Sequence, residues 1–178
     1  MLYVEKTVPA DCFELAPKLQ NIDRFEIAVT GLDPLKALLL PFLKKRPNTH
    51  TFSIFNDKHE VVAIWGAMPS YKHNDKVGTV YFLASDDLKK DYRYFLRHNK
   101  KWIYYLEEHY TFLSNYIIAE HEVSIRWLKW MGYKFKSQVI LVNNVKMFYF
   151  YKQLAHPVKG TQPIYSEFGP QWSTEIEI

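Results

Sequence analysis

Glu120, His121 and Glu122 stand in a row in the second half of the chain. An imidazole flanked by carboxylates is a ready base near neutral pH, because the ring titrates at about 6.5. The chemistry it suggests is deprotonation of an amine, directly or through water. The same three residues also suit the start of a helix, where carboxylates lie against the positive end of the helix dipole. Both readings stay open on the residues alone. A second pattern is basic: Lys89, Arg93, Arg97, Lys100 and Lys101 gather on one side of a helix turning roughly 100° per residue. Such a stripe fits the phosphates of a cofactor or nucleic acid, or an acidic protein surface; its plainer use is a solvated helix face. Tyr94, Tyr104 and Tyr105 interleave the stripe and add contact area.

Other reactive side chains are scattered. The seven histidines (His50, His59, His73, His98, His109, His121 and His156) include no pair at the four-residue spacing of a helical metal motif, so no metal is expected. The one cysteine, Cys12, excludes an intramolecular disulfide and a cysteine-based zinc site. Beside Phe13 on a short apolar stretch, it is expected as a buried, inert thiol.

The elements that must position these groups follow from periodicity and punctuation. Leu2-Tyr3-Val4 predicts a first strand, and Asp11 a cap for a helix over Cys12–Leu19 that Pro17 interrupts. Asn21–Val29 predicts a second helix. Asp33 as N-cap and Pro34 at the first position start a third, which ends near Arg46-Pro47 with Pro41 inside. Strands are expected over His50–Phe55, Glu60–Met68 and Val77–Ala84, the last two separated by a polar loop over Pro69–Lys76, as an antiparallel meander. Asp86–Tyr110 is the clearest helix, with Ser85 or Asp86 as cap and Tyr92, Leu96, Ile103, Leu106 and Tyr110 as its apolar arc. A buried strand over Tyr116–Ala119 precedes a short helix over Glu122–Met131, closed by Gly132. On that helix Trp127 and Met131 are expected in packing and Trp130 in solvent. Two strands, Gln138–Val142 and Val145–Tyr151, are joined by Asn143-Asn144, which tolerate the positive φ of a tight hairpin.

A length of 178 residues suits one domain with a tail, and 48% hydrophobic against 24% charged residues excludes disorder across the whole chain. The net charge of +4 is uneven. From Gln153 onward one lysine (Lys159) faces Glu167, Glu175 and Glu177, leaving −2 there and +6 over residues 1–152. A mildly basic body suits nucleic acid, an anionic cofactor or an acidic partner without choosing among them. The first residues lack the apolar stretch of a signal peptide, and the longest apolar run, Ala37–Leu43, is too short to span a bilayer. The expectation is a soluble protein made in the cytoplasm.

This order of elements resembles the GNAT (GCN-related N-acetyltransferase) fold, a mixed sheet splayed between its fourth and fifth strands. A narrower resemblance runs through Ile118-Ala119-Glu120-His121-Glu122-Val123-Ser124-Ile125-Arg126-Trp127-Leu128-Lys129-Trp130-Met131-Gly132-Tyr133-Lys134-Phe135 and the apolar hairpin through Phe148-Tyr149-Phe150. With Val80–Asp86, it looks like the GNAT-like internal virion proteins of short-tailed (podovirus) phages. The family resemblance implies acetyl-CoA in the splayed gap. Its pantetheine would lie against Phe82, Leu83, Ala84 and Ser85, its phosphates near Lys89 and Lys90, and Glu120 or His121 would act as base. Three features depart from that pattern. The turn after the fourth strand reads Ser85-Asp86-Asp87-Leu88-Lys89-Lys90-Asp91, with no glycine to bare its amides to a pyrophosphate. Leu128 stands where the family often has a tyrosine acid, and His121 where it often has an asparagine.

The expected fold class is therefore α+β: a GNAT-type mixed, mostly antiparallel central sheet flanked by helices over residues 1–152, with an extended C-terminal tail over residues 153–178. The expected function is that of a phage virion-associated protein on a non-catalytic scaffold, with no cofactor, located in the virion or host cytoplasm. Its contacts with other virion proteins or a host protein would run through Arg93, Arg97, Lys100, Lys101 and the tail aromatics Tyr165, Phe168 and Trp172, and an oligomer fits the same surfaces. The alternatives are an active acetyl-CoA-dependent N-acetyltransferase and, on charge alone, a nucleic-acid-binding protein.

Overall fold

The longest uninterrupted apolar stretch becomes the middle of a sheet. In a computed structural model that describes residues 1–154, strand β3 (Val61–Tyr71) is buried continuously from Val61 to Pro69, as a strand covered on both faces must be. Seven strands make one sheet in the order β1-β2-β3-β4-β5-β7-β6. Their ranges are β1 Tyr3–Lys6, β2 His50–Phe55, β4 Asn74–Ala84, β5 Phe112–Ile118, β6 Lys134–Val142 and β7 Val145–Gln153. All neighbours pair antiparallel except β4 and β5.

Five helices cover the sheet: α1 Pro9–Leu15, α2 Asn21–Val29, α3 Pro34–Lys44, α4 Tyr92–Glu107 and α5 Glu122–Trp130. One cluster joins α1, α2 and α3 to the sheet through Cys12, Leu15, Ile27, Leu38 and Ile64. A larger one joins α4 and α5 through Phe95, Ile103, Leu106 and Leu128 to Trp65, Val80 and Ile117. Asp33 caps α3 as expected, its Oδ1 accepting from Lys36 N at 2.9 Å. Asn143 and Asn144 take φ values of 47° and 63° in the β6–β7 turn, and Gly132 closes α5 at φ 93°.

Three expectations need correction. Pro69–Lys76 is not a loop, because β3 and β4 run on to a turn at Lys72-His73. Ser70 and Thr79 hydroxyls bond across the strands at 2.9 Å, and Arg46 Nη1 donates to Pro69 O at 2.6 Å; these contacts outweigh a composition that reads as a turn. Asp11 does not begin its helix. It sits three residues past the N-cap Val8, where Oδ2 accepts from Val8 N at 3.0 Å and Ser53 Oγ at 2.8 Å. The long helix starts later than Asp86, after a 3-10 turn over Asp86–Asp91. In that turn residues three apart eclipse, which suits the pairs Asp86–Lys89 and Asp87–Lys90. The apolar arc of α4 shifts accordingly: Phe95, Asn99, Ile103 and Leu106 are its buried face, while Tyr92 is exposed.

Leu154 N donates to Thr111 O at 2.9 Å, so the described chain leaves the sheet beside the end of α4. The expectations for Tyr165, Phe168 and Trp172 lie outside the described residues. Among the described residues no helix is long and apolar enough to cross a membrane.

Candidate functional site

β4 and β5 are parallel neighbours over three residue pairs only, Val77–Phe112, Gly78–Leu113 and Thr79–Ser114. Beyond them the strands part, and each presents backbone groups to the gap. On both edges several of those groups are taken by the chain's own side chains and backbone. Asn115 Nδ2 donates to Val80 O at 2.8 Å, and its Oδ1 accepts from Tyr116 N at 2.7 Å. Ala84 N donates to Asp23 Oδ2 at 2.9 Å, and Ala84 O accepts from Gln20 N at 2.9 Å. Across the gap Ile118 N donates to Glu26 Oε2 at 3.1 Å.

Asp23 and Glu26 lie one turn apart on α2, and so reach opposite sides of the gap from one helix face. Asp23 is 2% exposed and also accepts from Gln20 Nε2 at 3.0 Å. Its Oδ1 meets His121 Nε2 at 3.0 Å, and Ser124 Oγ lies 3.2 Å from the same nitrogen. Burial pushes the Glu26 carboxyl up to about 7, against the pull of the Ile118 amide.

The other face of the gap is packed with rings. Phe82 lies 5.4 Å from Phe95 and 5.3 Å from Trp127, ring centre to ring centre. Trp127 Nε1 donates to Asn99 Oδ1 at 3.2 Å, while Asn99 Nδ2 is held by Phe95 O at 2.8 Å and Leu96 O at 3.0 Å. Asn99 is fully buried, and this bond ties α4 to α5 over the gap.

Several groups expected at acetyl-CoA are already engaged within the chain. The Ala84 amide, expected to be bare for the pantetheine arm, is occupied by Asp23. Phe82 presents a ring packed between two helices. Ser85 turns inward, its N–H and Oγ both donating to Val62 O. Lys89 and Lys90, expected at the phosphates, pair with Asp86 and Asp87. The candidate bases separate: Glu120 is exposed on the turn before α5, while His121 is buried against Asp23. His121 is also the N-cap of α5, yet its side chain makes no capping bond.

Asp23, Glu26, Asn115 and Asn99 were not legible as site residues. The first three are ordinary polar residues 35 to 98 positions from their partners across the fold, and Asn99 looks like one more polar residue in a basic helix. The basic stripe is confirmed as surface: Arg93, Arg97 and Lys101 are exposed, and Lys100 Nζ sits 4.0 Å above the exposed Trp130 ring. Cys12 is buried, with its thiol pushed up to about 11 by burial. Among the described residues no three His, Cys, Asp or Glu side chains are grouped to hold a metal.

No protein-family model and no curated protein sequence matches the chain. Solved structures do. A GCN5-related N-acetyltransferase from Kribbella flavida is 15% identical, with a TM-score of 0.62 over 86% of this chain and 98% of that one. Spermidine N-acetyltransferase from Vibrio cholerae, in complex with CoA and spermine, is 8% identical, with a TM-score of 0.61 over 85% and 95%. A GNAT-family acetyltransferase from Streptococcus pneumoniae is 14% identical, with a TM-score of 0.60 over 86% and 99%. The fold is that of the GNAT acetyltransferases.

Proposed function

We propose that this chain uses the GNAT fold as a binding scaffold and transfers no acyl group. The observation that carries the reading is how much of the gap the chain itself occupies: Asp23 and Glu26 take the Ala84 and Ile118 amides, and Asn115 takes Val80 O and Tyr116 N nearer the strand junction. Buried amides need acceptors. Here the chain supplies them from α2, so an acyl-CoA would have to displace a buried carboxylate and leave it without donors.

The finer reading is a virion-associated protein of a short-tailed phage, acting through protein–protein contacts and located in the virion or host cytoplasm. It draws its support from the likeness of residues 118–135 to the internal virion proteins of that group. The alternative, an acetyl-CoA-dependent N-acetyltransferase acting on a host or phage amine, draws its support from the activities named for the structural neighbours.

Calorimetric titration with acetyl-CoA separates the two. No heat of binding is expected, and micromolar affinity would overturn the scaffold reading. Mass spectrometry of purified particles tests the virion assignment: the protein should co-purify with them, and its absence would remove that assignment.

A further inference from the structure

The outer face of α4 carries charges that nothing within the described chain balances. Arg93, Arg97 and Lys101 follow one another at four-residue steps, about 6 Å apart along the helix axis. Like charges at that spacing repel and weaken a helix. Arg93 also lies in the first turn, where the helix dipole disfavours a cation. Neither arginine has an acidic partner among the described residues, although Lys89 and Lys90, just before the helix, are each paired. The one acid within α4, Glu107, is turned inward to Lys152 at 2.7 Å. Helix stability therefore does not account for the stripe.

Rings accompany it. Tyr104 and Tyr105 are 49% and 53% exposed. Tyr94 and His98 stack at 4.0 Å beside the arginines, and Trp130 extends the aromatic surface onto α5 beneath Lys100. At the start of the helix a groove of about 520 Å³ is lined by Lys89, Lys90, Tyr92, Arg93, Tyr94 and Arg97, with one acid, Asp91, which pairs with the N-terminal ammonium at 3.5 Å.

We propose that this face binds single-stranded nucleic acid, with Arg93, Arg97 and Lys101 on successive phosphates and the exposed tyrosine rings receiving bases. A strand supplies evenly spaced negative charge along the axis and flat partners for the rings, the two features on which single-strand sites are built. An acidic polypeptide would match the charge and leave the rings without a stacking partner. The assignment rests on the non-catalytic reading, in which the groove at the start of α4 holds no cofactor phosphates.

The test is fluorescence anisotropy of a labelled oligodeoxythymidine with the full chain. Three to four phosphate contacts predict an affinity that falls with salt at a log–log slope of about −2 to −3. Replacing Arg93, Arg97 and Lys101 together with Gln should cut affinity by at least about tenfold and at least halve the slope. Tyr105→Ala should weaken binding and leave the slope unchanged. All four side chains are exposed, so circular dichroism should show the fold intact in each variant. Absence of binding at about 50 mM salt, binding indifferent to the triple substitution, or poly-L-glutamate competing as well as the strand at equal charge would each overturn the proposal. Coenzyme A included in the titration separates the two readings. Its binding overturns the scaffold reading, whereas a strand that fails to bind while coenzyme A also fails overturns this proposal alone.

Discussion

Glu26 should make the protein less stable as pH rises from about 4.5 to about 7, against the usual behaviour of a carboxylate. Its carboxyl moves from an ordinary value of 4.5 to about 7 in the fold, mainly through burial. Between those values the folded chain holds a proton that the unfolded chain releases. Stability is therefore greatest below about 4.5 on this account and declines as pH rises to about 7. Two and a half pH units at about 1.36 kcal/mol each set a ceiling of about 3.4 kcal/mol. Glu26 as a residue is only partly buried, and the water that reaches it screens the charge, which brings the expected loss to roughly 1–2 kcal/mol.

Glu26→Gln isolates the effect. Glutamine keeps an oxygen to accept from Ile118 N and cannot ionise. The variant and wild type should be equally stable near pH 4, and the variant more stable by roughly 1–2 kcal/mol near pH 8, or about 2–8 °C in Tm. Urea unfolding of both proteins across that range supplies the difference curve, in which all other titrating groups cancel. A difference that does not change with pH, or a variant weaker than wild type at pH 8, would refute the claim that a buried Glu26 carboxyl closes the gap.

Asp23→Ala should cost about 3 kcal/mol in urea unfolding, because it orphans the Ala84 amide and removes the partner of a buried His121; a loss under about 1 kcal/mol would mean that the gap is held elsewhere. His50 is held below its ordinary value by burial, then by His109 and by Lys6 and Lys76. The stability it contributes is complete above about pH 6.5 and is lost as pH falls below it, so wild type should lose stability more steeply than His50→Asn between about pH 7 and 5; parallel declines of the two unfolding midpoints would contradict this. Gly66→Ala places a Cβ 2.2 Å from His50 O and 2.8 Å from Thr51 Cα. Backbone cannot step aside there, and a loss of about 3 kcal/mol or more, seen as a fall in Tm of about 6 °C or more, is expected; an unchanged Tm would place β2 differently against β3.

What the sequence made legible was local. Asn21–Val29 and His50–Phe55 are read to the residue, because punctuation and period mark them without help from the rest of the fold. The splay is legible only through the fold family that the order of elements resembles. The failures come from contacts made at long range. Pro69 looks like a loop until Arg46 and the pairing with Gly78 are in place. Asn99 looks like solvent until Trp127 arrives from α5 to use its oxygen. The site fares worst for the same reason. Asp23 is an unremarkable acid in a short helix, and its importance lies in bonds to Ala84, 61 positions away, and to His121, 98 away.

Those distances bear on how a turn without glycine and the occupied Ala84 and Ile118 amides go together. Strands that diverge expose amides and carbonyls on both inner edges, and a buried edge of that kind is costly unless every group finds a partner. A bound ligand can supply the partners, and then the turn beyond the strand must also be open enough for its phosphates. On the scaffold reading proposed above, α2 supplies partners to Ala84 and Ile118 through Asp23 and Glu26, and the turn is released from that demand. It can then carry Asp86 and Asp87, which would repel a pyrophosphate and here anchor Lys89 and Lys90 instead. The acidic turn and the carboxylates of α2 are thus two consequences of one substitution of partners, and restoring a bare turn without vacating Ala84 and Ile118 should leave acetyl-CoA unbound.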